Sequence, residues 1–238
     1  MEKQQNSARR KFLASITAGA AAIGLTTIAS PIKAIAEPVN NMNENFNNPD
    51  PGAADLWFNK ITGKHRIVFD VTEPKPGHEA ILPFAWPKVF LLTNAATGTP
   101  EKENTAMVIL RHNAIPYAFE DRLWAKYKLG EFFKITDDQT NVPAVRNRFW
   151  KPNPGYSVPG VGPVPIGIDD LQKSGVMFCV CNMAITVLSS LVADANGMKH
   201  EDVMKDWLSG ILPQIQVVPS GVWAVGRAQE HKCAYCAT

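Results

Sequence analysis

The sequence predicts an α/β fold: a mostly parallel five-stranded sheet with helices on both faces, a three-layer sandwich. Three observations predict it. Short β-branched runs and segments of helical period alternate five times between residues 65 and 238. Two of those runs, 106–110 (AMVIL) and 176–180 (VMFCV), are continuously apolar, as strands covered on both faces are. At 45% hydrophobic residues, the chain has the material for a sizeable core without disulfide support.

The elements follow in order. His65 to Thr72 is a β-branched run that ends in Pro and Gly, the first strand. Ala85 to Ala96 reads as a helix, with Val89, Leu92 and Ala96 among its apolar positions. Ala106 to Leu110 is the second strand. Tyr117 to Leu129 is amphipathic, with Phe119, Leu123, Trp124 and Tyr127 on one side. Residues 131–167, rich in Pro, Gly and Asn and carrying Arg146, Arg148 and Trp150, interrupt the alternation as an insertion that would cap a site or form a subunit contact. Val176 to Val180 is the third strand. Helices at Met183 to Ala193 and Glu201 to Leu208 lead to a fourth strand at Ile211 to Val218. Gly221 to His231 is a further helix, and Cys233 to Ala237 a short last strand.

Ahead of this domain, residues 1–36 carry the three parts of an export signal. Arg9-Arg10-Lys11-Phe12-Leu13 is a twin-arginine core, Leu13 to Ala29 is weakly apolar, and Ala34-Ile35-Ala36 is a small-x-small cleavage pattern. The expected location is the periplasm, reached already folded. Residues 37–64, rich in Asn and Pro, read as a flexible lead-in. Removing residues 1–36 takes away five basic residues and one acidic, so 24 and 22 become 19 and 21, and the formal charge turns from +2 to −2. That balance argues against nucleic acid as a partner. No stretch outside the signal is long and apolar enough to hold the chain in a bilayer after cleavage.

Open parallel sheets hold ligands beyond the carboxyl ends of their strands. Three such ends carry polar groups: Arg111-His112-Asn113, Cys181-Asn182 and Ser220-Gly221. Cys181 falls at the start of a helix, where free N–H groups and the helix dipole favour a thiolate and would stabilise a bound anionic sulfur. The alternative is a buried structural cysteine. Cys179 precedes it by two positions and is either a resolving thiol or core packing. Ser220 reads as a helix cap. His112 would support the thiolate or shuttle a proton, or simply line a pocket. His231, Cys233 and Cys236 form a His-x-Cys-x-x-Cys run, open to a metal, a disulfide or unpaired thiols. If strand-like, Cys233 and Cys236 point to opposite faces.

The segment Gly175-Val176-Met177-Phe178-Cys179-Val180-Cys181-Asn182 resembles the strand-then-cysteine segment of the DsrE/DsrF-like family. Val217-Val218-Pro219-Ser220-Gly221-Val222, with Arg227-Ala228-Gln229, is similar to that family's closing element. Val108 to His112, followed by Ala114 to Phe119, resembles its second strand and helix. The resemblance spans about residues 64–238 apart from the insertion. It implies an α/β fold, homo-oligomers, and a sulfur relay in which Cys181 carries a persulfide exchanged with a small sulfur compound or a partner thiol protein. Cys179 and the Cys233-Ala234-Tyr235-Cys236 strand depart from the family's pattern. The competing expectation is a non-catalytic oligomeric module that binds a ligand or partner, or a metal-binding protein using the C-terminal run.

Overall fold

The computed structural model describes residues 51–158 and 160–238. The export signal and residues 37–50 of the expected lead-in lie outside the described residues. The core is an all-parallel five-stranded sheet of β1 (His65–Val71), β2 (Asn104–Leu110), β5 (Met177–Cys181), β6 (Ile215–Val218) and β7 (Ala234–Ala237), ordered β6-β5-β2-β1-β7. The small hairpin β3 (Tyr156–Val158) and β4 (Gly162–Val164) lies within the insertion. Every residue of central strand β2 is buried, which is why its sequence is continuously apolar after Asn104-Thr105.

The chain steps from β1 through β2 and β5 to β6 and then returns to place β7 on the other side of β1. Right-handed crossovers therefore put the helices before and after this reversal on opposite faces. On one side, α1 (Pro51–Trp57) and α8 (Gly221–Glu230) cover a cluster of Trp57, Phe58, Val68, Met107, Cys179 and Ala224. The other face holds the larger cluster, built from α2 (Leu82–Ala96), α3 (Asp121–Tyr127), α4 (Leu129–Phe132), α5 (Ile168–Lys173), α6 (Asn182–Asn196) and α7 (His200–Ser209).

Three departures from the sequence reading have a clear physical cause. Residues 51–64, expected in the flexible lead-in, are folded: Phe58 and Ile61 are buried, and Phe58 meets Trp57 and Trp223 edge to face at 5.1 and 5.5 Å. Two aromatic residues beside an apolar helix face outweigh the turn-rich composition. The amphipathic run from Tyr117 to Leu129 is broken into a 3-10 turn (His112–Ala118), α3 and α4, with Lys128 in the left-handed region at φ 50°. The fourth strand starts at Ile215, because Pro213 and left-handed Gln214 (φ 62°) follow a bridge from Ile211 back to Phe119.

The insertion is tied to the core rather than draped over it. Phe149 stacks on Phe84 at 4.6 Å and on Tyr156 at 5.4 Å. Arg148, buried, donates to Asp138 at 2.7 and 3.2 Å and to the carbonyls of Asn153 and Pro154. Arg146 pairs with Asp137 at 3.0 Å. Gly130 is required at its position, since a Cβ there would lie 2.2 Å from the Ala144 carbonyl oxygen. Both arginines of the insertion thus pair within the insertion itself.

Candidate functional site

Cys181 ends β5 and caps α6. Its backbone is extended (φ −75°, ψ 110°), and its sulfur accepts the Ala184 N–H at 3.3 Å. Ser220 repeats the arrangement at α8, where its hydroxyl oxygen accepts from Trp223 N–H at 3.2 Å. The two strand ends are tied together by Met183 N–H donating to the Pro219 carbonyl at 3.2 Å. Asn182 is buried, and its Oδ1 has no hydrogen-bond donor among the described residues. Cys181 itself is 6% exposed.

Register sets its neighbour. Leu110 pairs with Val180 across β2 and β5. Continuing one residue brings the Arg111 backbone alongside Cys181, at a strand spacing of about 5 Å. The Arg111 guanidinium reaches across to Asp70 on β1, donating Nε to Oδ1 and Nη2 to Oδ2, each at 2.7 Å. Tyr235 on β7 donates its hydroxyl to Asp70 Oδ2 at 2.8 Å. Asp70 is 2% exposed and Arg111 28%. The hydrogen bonds to Asp70 hold the guanidinium pKa above its ordinary value against the opposing effect of burial, with Tyr235 and Cys181 adding smaller contributions. The arginine stem packs against Gly221: a Cβ on that glycine would meet Arg111 Cβ at 2.5 Å and Cδ at 2.6 Å. Arg111 therefore ties the carboxyl ends of β1 and β2 to the start of α8.

The other sequence candidates fall elsewhere. His112 was expected to support the thiolate, shuttle a proton or line a pocket. It sits in the left-handed region (φ 53°), two residues past the end of β2, and that turn carries its ring outward. Its Nδ1 pairs with Glu73 Oε1 at 2.6 Å, and Asn113 Nδ2 donates to the same carboxylate at 2.8 Å. The imidazole is 63% exposed and its polar partner is Glu73, not Cys181. Cys179 was expected either to act as a resolving thiol or to pack in the core. It lies fully buried in the cluster under α8, whereas Cys181, drawn over the first turn of α6, joins the opposite cluster. Burial pushes the Cys179 thiol well above its ordinary pKa, with Cys181 and Asp70 adding to the effect. Both cysteines are free thiols.

Cys233 and Cys236 are also free, and they point to opposite faces. Cys233 is buried among Phe58, Val68 and Ala228, and burial raises its pKa while Arg66 pulls it back. Cys236 packs against the other cluster. The His231 ring lies 6.2 Å from Phe58, and its carbonyl accepts from Arg66 Nη1 at 3.0 Å. Strand geometry thus separates the three side chains proposed as metal ligands or a redox pair. Among the described residues, no three His, Cys, Asp or Glu side chains come together as a metal-binding group.

The sequence reading missed Asp70 and Tyr235. Asp70 carried a signal: an acid between Phe69 and Val71 in a strand buried on both faces demands a cationic partner. Tyr235 carried none, because its role depends on β7 pairing with β1.

No family model matches the chain, and no curated protein matches it. A solved protein of unknown function from Methanobacterium thermoautotrophicum is similar to it at 16% identity and a TM-score of 0.35, over 74% of this chain and 100% of that one.

Proposed function

We propose that the protein is an exported thiol carrier that relays sulfur through Cys181. The observation supporting this reading is the position of the sulfur: a free thiol at the carboxyl edge of a parallel sheet, capping a helix of 15 residues and accepting its Ala184 N–H. A helix N-terminus stabilises negative charge on such a sulfur, before and after it takes up a second one. Arg111 lies next in register, its guanidinium held by Asp70. In the transfer step, the Cys181 thiolate attacks the outer sulfur of a donor persulfide, R–S–SH. The Cys181–S bond forms as the donor S–S bond breaks. The donor sulfur leaves with the bonding electrons and takes the proton as R–SH, so the protein holds a persulfide anion and nothing else is oxidised or reduced. The test is sulfur uptake by the wild-type chain and by Cys181→Ser. Serine caps helices well, so the variant keeps the fold. Uptake by wild type alone supports the relay, and equal uptake by both contradicts it.

One observation favours the competing reading, a non-catalytic binding module. Cys181 is only 6% exposed, and Ser220 makes the same kind of cap without any chemistry. A thiol-blocking reagent separates the two readings under native conditions. Rapid blocking of Cys181 fits the relay, and blocking only after denaturation fits the module.

Assembly belongs to the same proposal. Met183, Val187 and Leu191 recur every four residues along α6 and remain 39%, 51% and 50% exposed. Such an exposed apolar stripe suits a homo-oligomer. Sedimentation at low micromolar concentration is expected to show an assembly, and a clean monomer contradicts it. Export under Arg9-Arg10 to the periplasm completes the reading, and loss of export in an Arg9→Lys, Arg10→Lys chain would support it.

A further inference from the structure

The two edges of the parallel sheet are finished differently. β6, at one edge, is flanked by Pro213 and Pro219, its Val217 carbonyl accepts from the Gln216 side-chain amide at 2.9 Å, and α1 packs against it. Prolines and covering elements of this kind keep an edge from pairing with another chain. β7, at the other edge, is Ala234-Tyr235-Cys236-Ala237 and carries no proline and no charge. Ala234, Tyr235 and Ala237 are exposed, and Cys236 is half-buried. On the face where Cys236 packs, α2 lies over β1 and leaves Trp86, Val89 and Leu92 exposed.

Register shows which groups β7 leaves open. Thr238 N–H donates to the Asp70 carbonyl at 3.1 Å, so by alternation Ala234 and Cys236 also turn their backbone groups toward β1. Tyr235 and Ala237 therefore turn their N–H and C=O groups outward, where the sheet has no further strand. The Ala237 carbonyl meets the Cys236 thiol at 3.7 Å, a weak contact.

We propose that β7 is a self-pairing edge, in which two copies of the chain join their β7 strands antiparallel about a two-fold axis at Cys236. A second copy is the occupant because the strand complements itself in this register. Tyr235 of one copy then faces Ala237 of the other, and both outward residues of each strand exchange their N–H and C=O bonds. An axis at Tyr235 would instead set Ala237 against Cys233, whose N–H is already taken by the Ala228 carbonyl at 3.0 Å. Small Ala237 gives the Tyr235 ring its room, and no like charges oppose each other. Cys236 meets its own copy at a position without hydrogen bonds, where Cα atoms lie about 4.5 Å apart, within disulfide reach. Such an isologous contact closes at two copies. The pairing uses neither Cys181 nor the exposed stripe of α6, so it goes beyond the assembly proposed above and stands apart from both.

The test is thiol–disulfide exchange on the native full chain with oxidised glutathione. The Cys236 thiolate of one copy attacks the glutathione disulfide, forms a mixed disulfide and releases one reduced glutathione. The Cys236 thiolate of the second copy then displaces the other. One glutathione disulfide becomes two thiols as two protein thiols become one disulfide. Non-reducing electrophoresis and peptide mass spectrometry are expected to show a dimer linked through Cys236 alone. Ala237→Pro removes an outward N–H without breaking the ladder to β1, a strand position that tolerates proline, and is expected to lose the crosslink. Ala237→Lys keeps that N–H, charges the edge and is expected to weaken the crosslink severalfold. Circular dichroism checks that both variants fold. Val187→Glu, which breaks the α6 stripe, is expected to leave the crosslink unchanged. Cys236 left as a mixed disulfide with glutathione, a crosslink undiminished in the folded Ala237 variants, or one lost in Val187→Glu overturns the proposal.

Discussion

Arg111 grips Asp70 through two parallel hydrogen bonds of 2.7 Å, one from Nε and one from Nη2, and this fork joins the carboxyl ends of β1 and β2. A bidentate pair fixes direction as well as distance. With Tyr235 on the same carboxylate and Gly221 against the arginine stem, the fork holds the ground on which Cys181 and the α8 N-terminus stand.

Asp70→Asn tests that role. The acid is buried and its partner is partly exposed, so removing the carboxylate strands a cation that water reaches only in part. A loss of about 2 to 3 kcal/mol in urea unfolding is expected. Tyr235→Phe, which removes one hydrogen bond, is expected to cost about 1 kcal/mol. Equal costs for the two variants would contradict the assignment.

Gly221→Ala probes the same ground sterically. The new Cβ would lie 2.5 Å from Arg111 Cβ, an atom that cannot swing aside without moving β2. A destabilisation of about 2 kcal/mol or more is expected. Gly226→Ala lies on the same helix, and its Cβ would meet nothing within 4 Å, so it serves as the control. It is expected to be neutral or stabilising.

The structure makes some of this legible in the sequence and hides the rest for physical reasons. The strands of the sheet were readable because burial on both faces leaves continuous apolar runs such as Met107 to Leu110. Cys181 and Ser220 were readable as helix starts because each is followed by a helical period. The Asp70, Arg111 and Tyr235 network was not, because it joins residues 41 and 165 positions apart and depends on strand order. His112 misled because its place at a strand end says nothing of the left-handed turn that carries its ring toward Glu73. Phe58 misled because a turn-rich neighbourhood masked two aromatic anchors.

Asp206 supplies a pH test on the other face of the sheet. Burial alone would raise its pKa, but hydrogen bonds from Lys126, Arg122 and Tyr127 bring it down to about 2. A depressed acid stabilises the fold above its unfolded pKa, near 4, and that contribution is lost as pH falls through about 2. At pH 7, Asp206→Asn is therefore expected to cost about 1 to 2 kcal/mol. The gap between wild type and variant should narrow below about pH 4 and close near pH 2. A gap independent of pH would contradict the ionised network.

The central claim is that Cys181 is the thiol that carries sulfur. Its most direct test is peptide-resolved mass spectrometry of the native wild-type chain after brief exposure to a persulfide donor, with all thiols then blocked. The account predicts the mass of one added sulfur on the peptide holding Cys181, removed by a thiol acceptor, and none on Cys233. Cys179 shares that peptide, so fragmentation must place the sulfur on Cys181. Sulfur spread over all four cysteines, or found on none of them, would contradict it.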